Sequence, residues 1–366
     1  MIPHTLRFVV LALCVQAANG AFGQTVILTD VDSGLPSPQG NYRWLDVADQ
    51  AYSAAYQTSY NYRQAAVTAT FDGSSQPIRG MLLATNLKPN FAYQLKLVGA
   101  DGTPANEKIG RAGRYWQESW SGSAWANGQN LNNKGSGTYP SPNDTAYLAT
   151  RDVPNATSPT GRQYKYTCYL VFDCFITDEA GNATVSFQLN SSYHVLWKTS
   201  QQTRGSQDGP AKSATFDPSP AQPAYSTDYP RQTMTIFGEW ERLPVGGLQL
   251  MPGDYPCQLF LTEESFHGSG GQYAGGWAAA MAADVSFLVA PRIQAISSVR
   301  NVVSLAVADC YVGLTNGIER SFALGPAASW QKVFLFVSET PGTNWSETIG
   351  AGAAQAFYRV VSGVTP

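Results

Sequence analysis

The feature that most constrains this chain is a period of two that recurs along it and is broken each time by turn residues. In residues 91–98, Phe91, Tyr93, Leu95 and Leu97 share one face while Gln94 and Lys96 share the other, the pattern of a strand with one buried side. Runs of strand character recur at 65–71, 78–85, 169–172, 183–189, 193–198, 232–241, 255–262 and 283–289, and turn clusters such as Asp72-Gly73-Ser74-Ser75 and Asp178-Glu179-Ala180-Gly181-Asn182 separate several of them. Helical spacing is confined to 276–283, between Gly-rich flanks. Short strands punctuated by Gly, Pro, Asn and Ser predict an all-β chain folded as an antiparallel β-sandwich.

Composition narrows the function classes. Charged residues make up 13% of the 366-residue chain, about half the typical ~25%, while aromatic residues reach 12% and apolar residues 43%. Such a chain has ample core and is not disordered by charge excess. A formal net charge of -3 and a pI near 5.6 argue against binding through phosphate neutralisation, so no nucleic-acid partner is expected.

Residues 1–20 have the layout of a secretory signal: His4 and Arg7, a short apolar run at 8–15, then Ala18-Asn19-Gly20 at the spacing read by signal peptidase. The run is shorter than the ~20 residues a spanning helix needs. We therefore expect an exported protein, secreted or displayed at the cell surface and not membrane-embedded. Beyond the signal lie Cys168, Cys174, Cys257 and Cys310. The first two share one apolar run and are too far apart along an extended strand to pair with each other. A bridge from one of them to Cys257 and plain buried thiols both stay open. Asn-x-Ser/Thr triplets begin at Asn143, Asn155, Asn182, Asn190 and Asn344; chance is the default explanation in a chain this rich in Asn, Ser and Thr.

Two long segments interrupt the strand rhythm. Residues 99–159 are rich in aromatics, Asn and Gly and read as an ordered loop excursion packed over one end of the sandwich; residues 199–230 are polar and Pro-punctuated. A boundary falls at Ala290-Pro291-Arg292, with a main sandwich domain over 21–290 and a small β domain over 291–366 built from runs at 296–307, 310–314, 331–337 and 355–361.

In the C-terminal part, Trp330-Gln331-Lys332-Val333, Thr343-Asn344-Trp345-Ser346-Glu347-Thr348 and Phe357-Tyr358-Arg359-Val360 resemble the small fibronectin-III-like β domains that end many exported bacterial proteins. The resemblance implies an accessory domain without chemistry of its own, closed by the Phe-Tyr-Arg-Val strand. In the larger part, residues 86–93, 237–244 and 261–267 resemble a group of exported prokaryotic β-sandwich proteins of uncharacterised function. That likeness implies compartment and fold class but no catalytic residue.

Three constellations are candidates for function. The aromatic loop offers Tyr115, Trp116, Glu118, Trp120, Trp125 and Asn127. Indole and phenol faces stack on sugar rings while amides and carboxylates bond hydroxyls, although the same rings could equally plug the end of the sandwich. His194, His267 and Glu264, with Glu263, Glu239 and Glu241 nearby, could supply a two-histidine, one-carboxylate metal site; the plainer reading is solvated groups at strand ends. Pairs among Glu118, Glu239, Glu241, Glu263 and Glu264 could serve glycoside hydrolysis. No nucleophile elbow and no phosphate-cradling loop occurs, and no motif requires a cofactor. The sequence therefore points to an exported, non-catalytic β-sandwich protein that binds a glycan or a surface protein. A metal-dependent or carbohydrate-active hydrolase is the alternative, and a structural envelope or matrix component is the third reading.

Overall fold

A computed structural model describes residues 23–32, 41–48, 50–72, 78–126, 128–131, 142–198, 211–216, 224–226, 231–242, 248–264, 277–350 and 355–363. The signal-like segment 1–20 and most of the Pro-punctuated stretch at 199–230 lie outside them.

The larger part carries thirteen strands: β1 (Gln24–Asp30), β2 (Ala66–Asp72), β3 (Arg79–Thr85), β4 (Ala92–Val98), β5 (Arg114–Ser119), β6 (Gln129–Asn130), β7 (Tyr164–Ile176), β8 (Ala183–Gln188), β9 (Ser192–Lys198), β10 (Ala211–Phe216), β11 (Gln232–Arg242), β12 (Gly253–Glu264) and β13 (Trp277–Val289). Three helices accompany them: α1 (Ala54–Ser59), α2 (Pro104–Ala112) and α3 (Pro142–Thr150). Strand pairing runs β10-β11-β9-β7-β4-β12-β13-β1-β2-β3-β8, with β5 against β7 and β6 against β5. Every pairing is antiparallel, and the fold is all-β and sandwich-like, as the alternation predicts.

β1 makes the sandwich from one continuous ladder. Its last residues, Thr29 and Asp30, pair with Ala282 and Met281 of β13, whereas Gln24 to Leu28 pair with Phe71 to Val67 of β2. The strand thus leaves one sheet and enters the other. Phe71, Ile78 and Phe187 of one layer then meet Leu97, Phe172, Leu259 and Phe287 of the other around an apolar void of about 20 Å³, and Phe172 packs edge-on to Phe187 at 5.5 Å. Burial of these side chains, each contributing ~1.5–3 kcal/mol, drives the layers together.

Several sequence expectations change. The helical spacing at 276–283 falls in β13, a strand hydrogen-bonded on both sides by β12 and β1; an alanine-rich run can satisfy either period, and sheet pairing decides it. The helices lie elsewhere. α2 begins where Thr103 accepts a hydrogen bond from the Asn106 amide ahead of Pro104, and it buries Ala105, Ile109, Gly110 and Ala112. The described part of the 99–159 excursion therefore carries α2, β5, β6 and α3, and β5 joins the sheet beside β7. Cys168, Cys257 and Cys310 are free thiols, and all four cysteines, Cys174 included, are buried.

After β13 the chain forms β14 (Arg292–Val299), β15 (Val302–Ala308), β16 (Thr315–Ser321), β17 (Gln331–Val337), β18 (Thr343–Thr348) and β19 (Phe357–Ser362), in two three-stranded sheets ordered β14-β15-β18 and β17-β16-β19. The run at 296–307 is not one strand but a hairpin, turned by Arg300 and Asn301 at φ 49° and 68°. The expected strand at 310–314 is turn and loop, and the ladder starts at Thr315. Val303, Leu305, Ile318 and Tyr358 form a core of their own, with Trp345 packed 6.0 Å from Phe334 and 6.1 Å from Tyr358. Among the described residues no helix is long and apolar enough to cross a membrane.

Candidate functional site

The segment ahead of β2 builds an aromatic ladder. Ser53 caps α1 by accepting a hydrogen bond from the Tyr56 amide at 3.1 Å. The helix then stacks residues four apart: Tyr52 and Tyr56 have ring centroids 5.2 Å apart, and Tyr56 and Tyr60 lie 5.1 Å apart at an interplanar angle of 22°. Tyr60 meets Tyr62 edge-on at 5.4 Å. Tyr52 and Tyr62 are buried, whereas Tyr56 and Tyr60 keep part of their surface open.

That open surface forms one wall of a cleft of about 420 Å³, completed by Gln64, Asn86, Pro89 and Glu179. This size lies within the ~300–1,000 Å³ usual for small-ligand sites. The opposite rim is the turn between β7 and β8. Asp178 Oδ1 accepts from the Ala180 and Asn182 amides at 2.9 and 2.7 Å, and the Gly181 carbonyl accepts from the Leu87 amide at 2.9 Å. Gly181 has φ +77°, and a Cβ there would stand 2.0 Å from the Leu87 carbonyl oxygen, so only glycine fits. This brace holds Glu179 exposed on the rim, where it makes no ion pair with any described residue. Tyr60 donates to the Asn86 carbonyl at 3.1 Å, while the Tyr56 hydroxyl has no partner among the described residues.

Behind the cleft lies a buried charge cluster. β12 buries Tyr255, Cys257, Leu259 and Leu261 at every second position, and Glu263 continues the series with no exposed surface. Lys88, 1% exposed, donates from Nζ to Glu263 Oε1 at 2.7 Å and to the Arg43 carbonyl at 2.5 Å. Its ammonium also lies 4.4 Å from the Trp44 ring centroid and 4.8 Å from that of Phe91. Arg43 donates to Glu263 through Nε at 2.6 Å and Nη2 at 2.8 Å, and to Asp32 at 2.8 and 3.2 Å. Two cations thus face two carboxylates. Tyr62 donates to Glu263 Oε1 at 2.6 Å and lies 3.0 Å from the Tyr93 hydroxyl, which accepts from the Lys88 amide.

The cluster shifts its members in opposite senses. Burial pulls the Lys88 ammonium down to about 8 against the raising effect of Glu263. Burial would raise the Glu263 carboxyl, but Lys88 and Arg43 outweigh it and hold the group below its ordinary 4.5. A charge this enclosed cannot exchange protons with a ligand in the cleft. Its physical role is to tie the segment 41–44, the Tyr62 turn, the approach to β4 and the end of β12 into one unit.

The residues singled out from the sequence are dispersed. Tyr115 belongs to the core: it is 1% exposed, donates to Asp144 at 2.8 Å and stacks on Tyr147 at 4.4 Å. Its ring lies between Tyr147 and the chain at Gly110, so the expected ligand-binding face is turned into the core. Trp116 is half-buried, its indole lying where a Cβ on Gly128 would be. Trp120 and Trp125 do come together, edge-on at 5.2 Å across an isolated bridge, beside the Lys165–Glu118 ion pair at 2.7 Å. Asn127 lies outside the described residues. Of the expected metal triad, His194 sits on β9 and Glu264 at the end of β12, but neither side chain is described, and His267 lies outside the described residues; among those described, no group of three or more potential metal ligands converges. Of the carboxylates considered for glycoside hydrolysis, Glu263 is sealed from solvent and Glu118 is neutralised by Lys165.

The cleft had one legible signal, the four-residue spacing of Tyr52, Tyr56 and Tyr60, which the dominant strand pattern masks. Comparison with protein-family models gives no match, and comparison with curated proteins gives none either.

Proposed function

We propose that this chain is an exported β-sandwich binding protein, without catalysis of its own, that takes a glycan at the cell surface or in the extracellular space through the tyrosine-lined cleft. The observation that carries the reading is a cleft lined together by the half-open Tyr56/Tyr60 stack and by Gln64, Asn86 and Glu179. Aromatic rings cover the apolar faces of a sugar and amides bond its hydroxyls, the usual division of labour in a ligand site. Export rests on the signal-like residues 1–20. The C-terminal unit, two three-stranded sheets around Trp345, is read as a fibronectin-III-like accessory.

Calorimetric titration of the purified chain with a panel of soluble oligosaccharides tests the proposal. At least one should bind, and Tyr60→Ala should weaken it by tenfold or more. Absence of binding across the panel, or binding indifferent to Tyr56→Ala and Tyr60→Ala, would overturn it.

A second reading has one observation in its favour: the Trp120 Nε1 donor is buried without a hydrogen-bond partner, a cost of ~1–3 kcal/mol that a ligand oxygen could relieve. If the Trp120/Trp125 pair is the glycan platform, Trp125→Ala abolishes binding and Tyr60→Ala does not.

A further inference from the structure

Resting on the cleft as the glycan site, we infer that its ligand carries positive charge, as a chain of amino sugars does, and that Glu179 is the residue that selects it. The argument begins with charge. Of the described cleft-lining residues, Glu179 is the one carboxylate, and no lysine or arginine is among them. Arg63, beside the lining residue Gln64, turns to Asp30 at 3.5 Å. Several carboxylates among the described residues are already answered: Glu263 by Lys88 and Arg43, Glu118 by Lys165, Glu107 by Arg111 and Arg151, Asp101 by Arg162. Glu179 has no such partner among the described residues.

Rigidity is the second line. An exposed glutamate on a mobile loop would mean little, but here the turn is braced by the two amide bonds to Asp178 Oδ1, by the Leu87–Gly181 backbone bond, and by the Asn90 amide donating to the Asp178 carbonyl at 3.1 Å. These bonds fix the backbone that carries Glu179 at the rim of the cleft.

A cation entering the cleft meets the attraction of the Glu179 carboxylate, and an anion meets its repulsion. The Gln64 and Asn86 amide nitrogens already donate to the Ser59 and Gln64 carbonyls at 2.9 and 3.3 Å. Their oxygens, with the Tyr56 hydroxyl that has no partner among the described residues, suit sugar hydroxyls, which favours an aminated glycan over a lysine-rich peptide.

The test is calorimetry on the full chain with a fully deacetylated chitosan hexamer, its N-acetylated counterpart and cellohexaose, at a pH where the amines are protonated. The chitosan hexamer should bind about tenfold tighter than either neutral chain, the difference expected for ~1.4 kcal/mol of carboxylate attraction. That margin should shrink with added salt and vanish in Glu179→Gln. Equal affinities, or tighter binding of a neutral chain, would overturn the inference while leaving the glycan site standing. A preference that survives Glu179→Gln would overturn the assignment to Glu179. Binding of heptalysine at least as tight as that of the chitosan hexamer would replace the glycan by a peptide, and silence of all three sugars would remove the glycan reading together with the inference.

Discussion

Lys88 Nζ lies 2.7 Å from Glu263 Oε1 with both side chains sealed from solvent, although one precedes β4 and the other ends β12. Glu263 is shared: removing it leaves Lys88 buried without a carboxylate, whereas removing Lys88 leaves Glu263 still paired with Arg43 and bonded by Tyr62. Glu263→Gln should therefore cost about 3–5 kcal/mol, and Lys88→Met less. Chemical denaturation of both variants and of the double variant checks this, and the double should lose less than the sum of the singles.

Acid should weaken the fold through Glu263. Its folded carboxyl titrates below the ordinary 4.5 because Lys88 and Arg43 overcome the opposing effect of burial. A depressed carboxyl contributes stability that is present above the unfolded value and disappears as pH falls through the folded one. The denaturation midpoint should therefore drop as pH is lowered past 4.5. Glu263→Gln, already weaker at neutral pH, should show a visibly flatter acid limb.

The rim of the cleft should fail at Gly181. Its φ of +77° and the 2.0 Å approach of the Leu87 carbonyl to any Cβ make Gly181→Ala a loss of about 1–3 kcal/mol. A thermal melt gives the stability change. Any oligosaccharide that binds the wild type should bind this variant more weakly, since Glu179 is two residues away.

Thiol chemistry separates a native from an unfolded chain. Cys168, Cys174, Cys257 and Cys310 are buried, and burial pushes the Cys257 thiol up to about 12 and that of Cys168 well above its usual value. These four should resist a thiol reagent in the folded protein and react once denaturant is added. Prompt modification of any of them in the native state would contradict the packing described.

Much of the fold was legible. The period of two in 183–189 corresponds to β8, where buried and wetter positions alternate, because a strand with one wet and one dry face leaves that record in composition; the runs at 91–98 and 331–337 are also strands, β4 and β17. Where both faces are dry the record blurs. β4 is buried at six successive positions from Ala92 to Leu97, and Gln94 and Lys96 on its polar parity are covered by neighbours that the sequence does not name. Tyr115 shows the same limit from the other side. Among Trp and Tyr residues it looks like a platform, yet its ring lies between Tyr147 and the chain at Gly110.

The candidate site was less legible because it is assembled from distant segments. Glu263 did carry a signal: it occupies the apolar parity of Tyr255, Cys257, Leu259 and Leu261, and a charge there announces a buried partner. Which partner is not written locally, since Lys88 lies 175 positions away and Arg43 lies 220 away.

What the sequence determined by itself was class: an all-β antiparallel sandwich, set by side-chain period and turn residues, which act between near neighbours. What only the tertiary structure decided was which charges are buried together and which stay free. The cost of burying a charge depends on every group packed around it, and β1 crossing between sheets, β12 delivering Glu263 inward and the 178–182 turn holding Glu179 outward are relations among segments far apart in the chain.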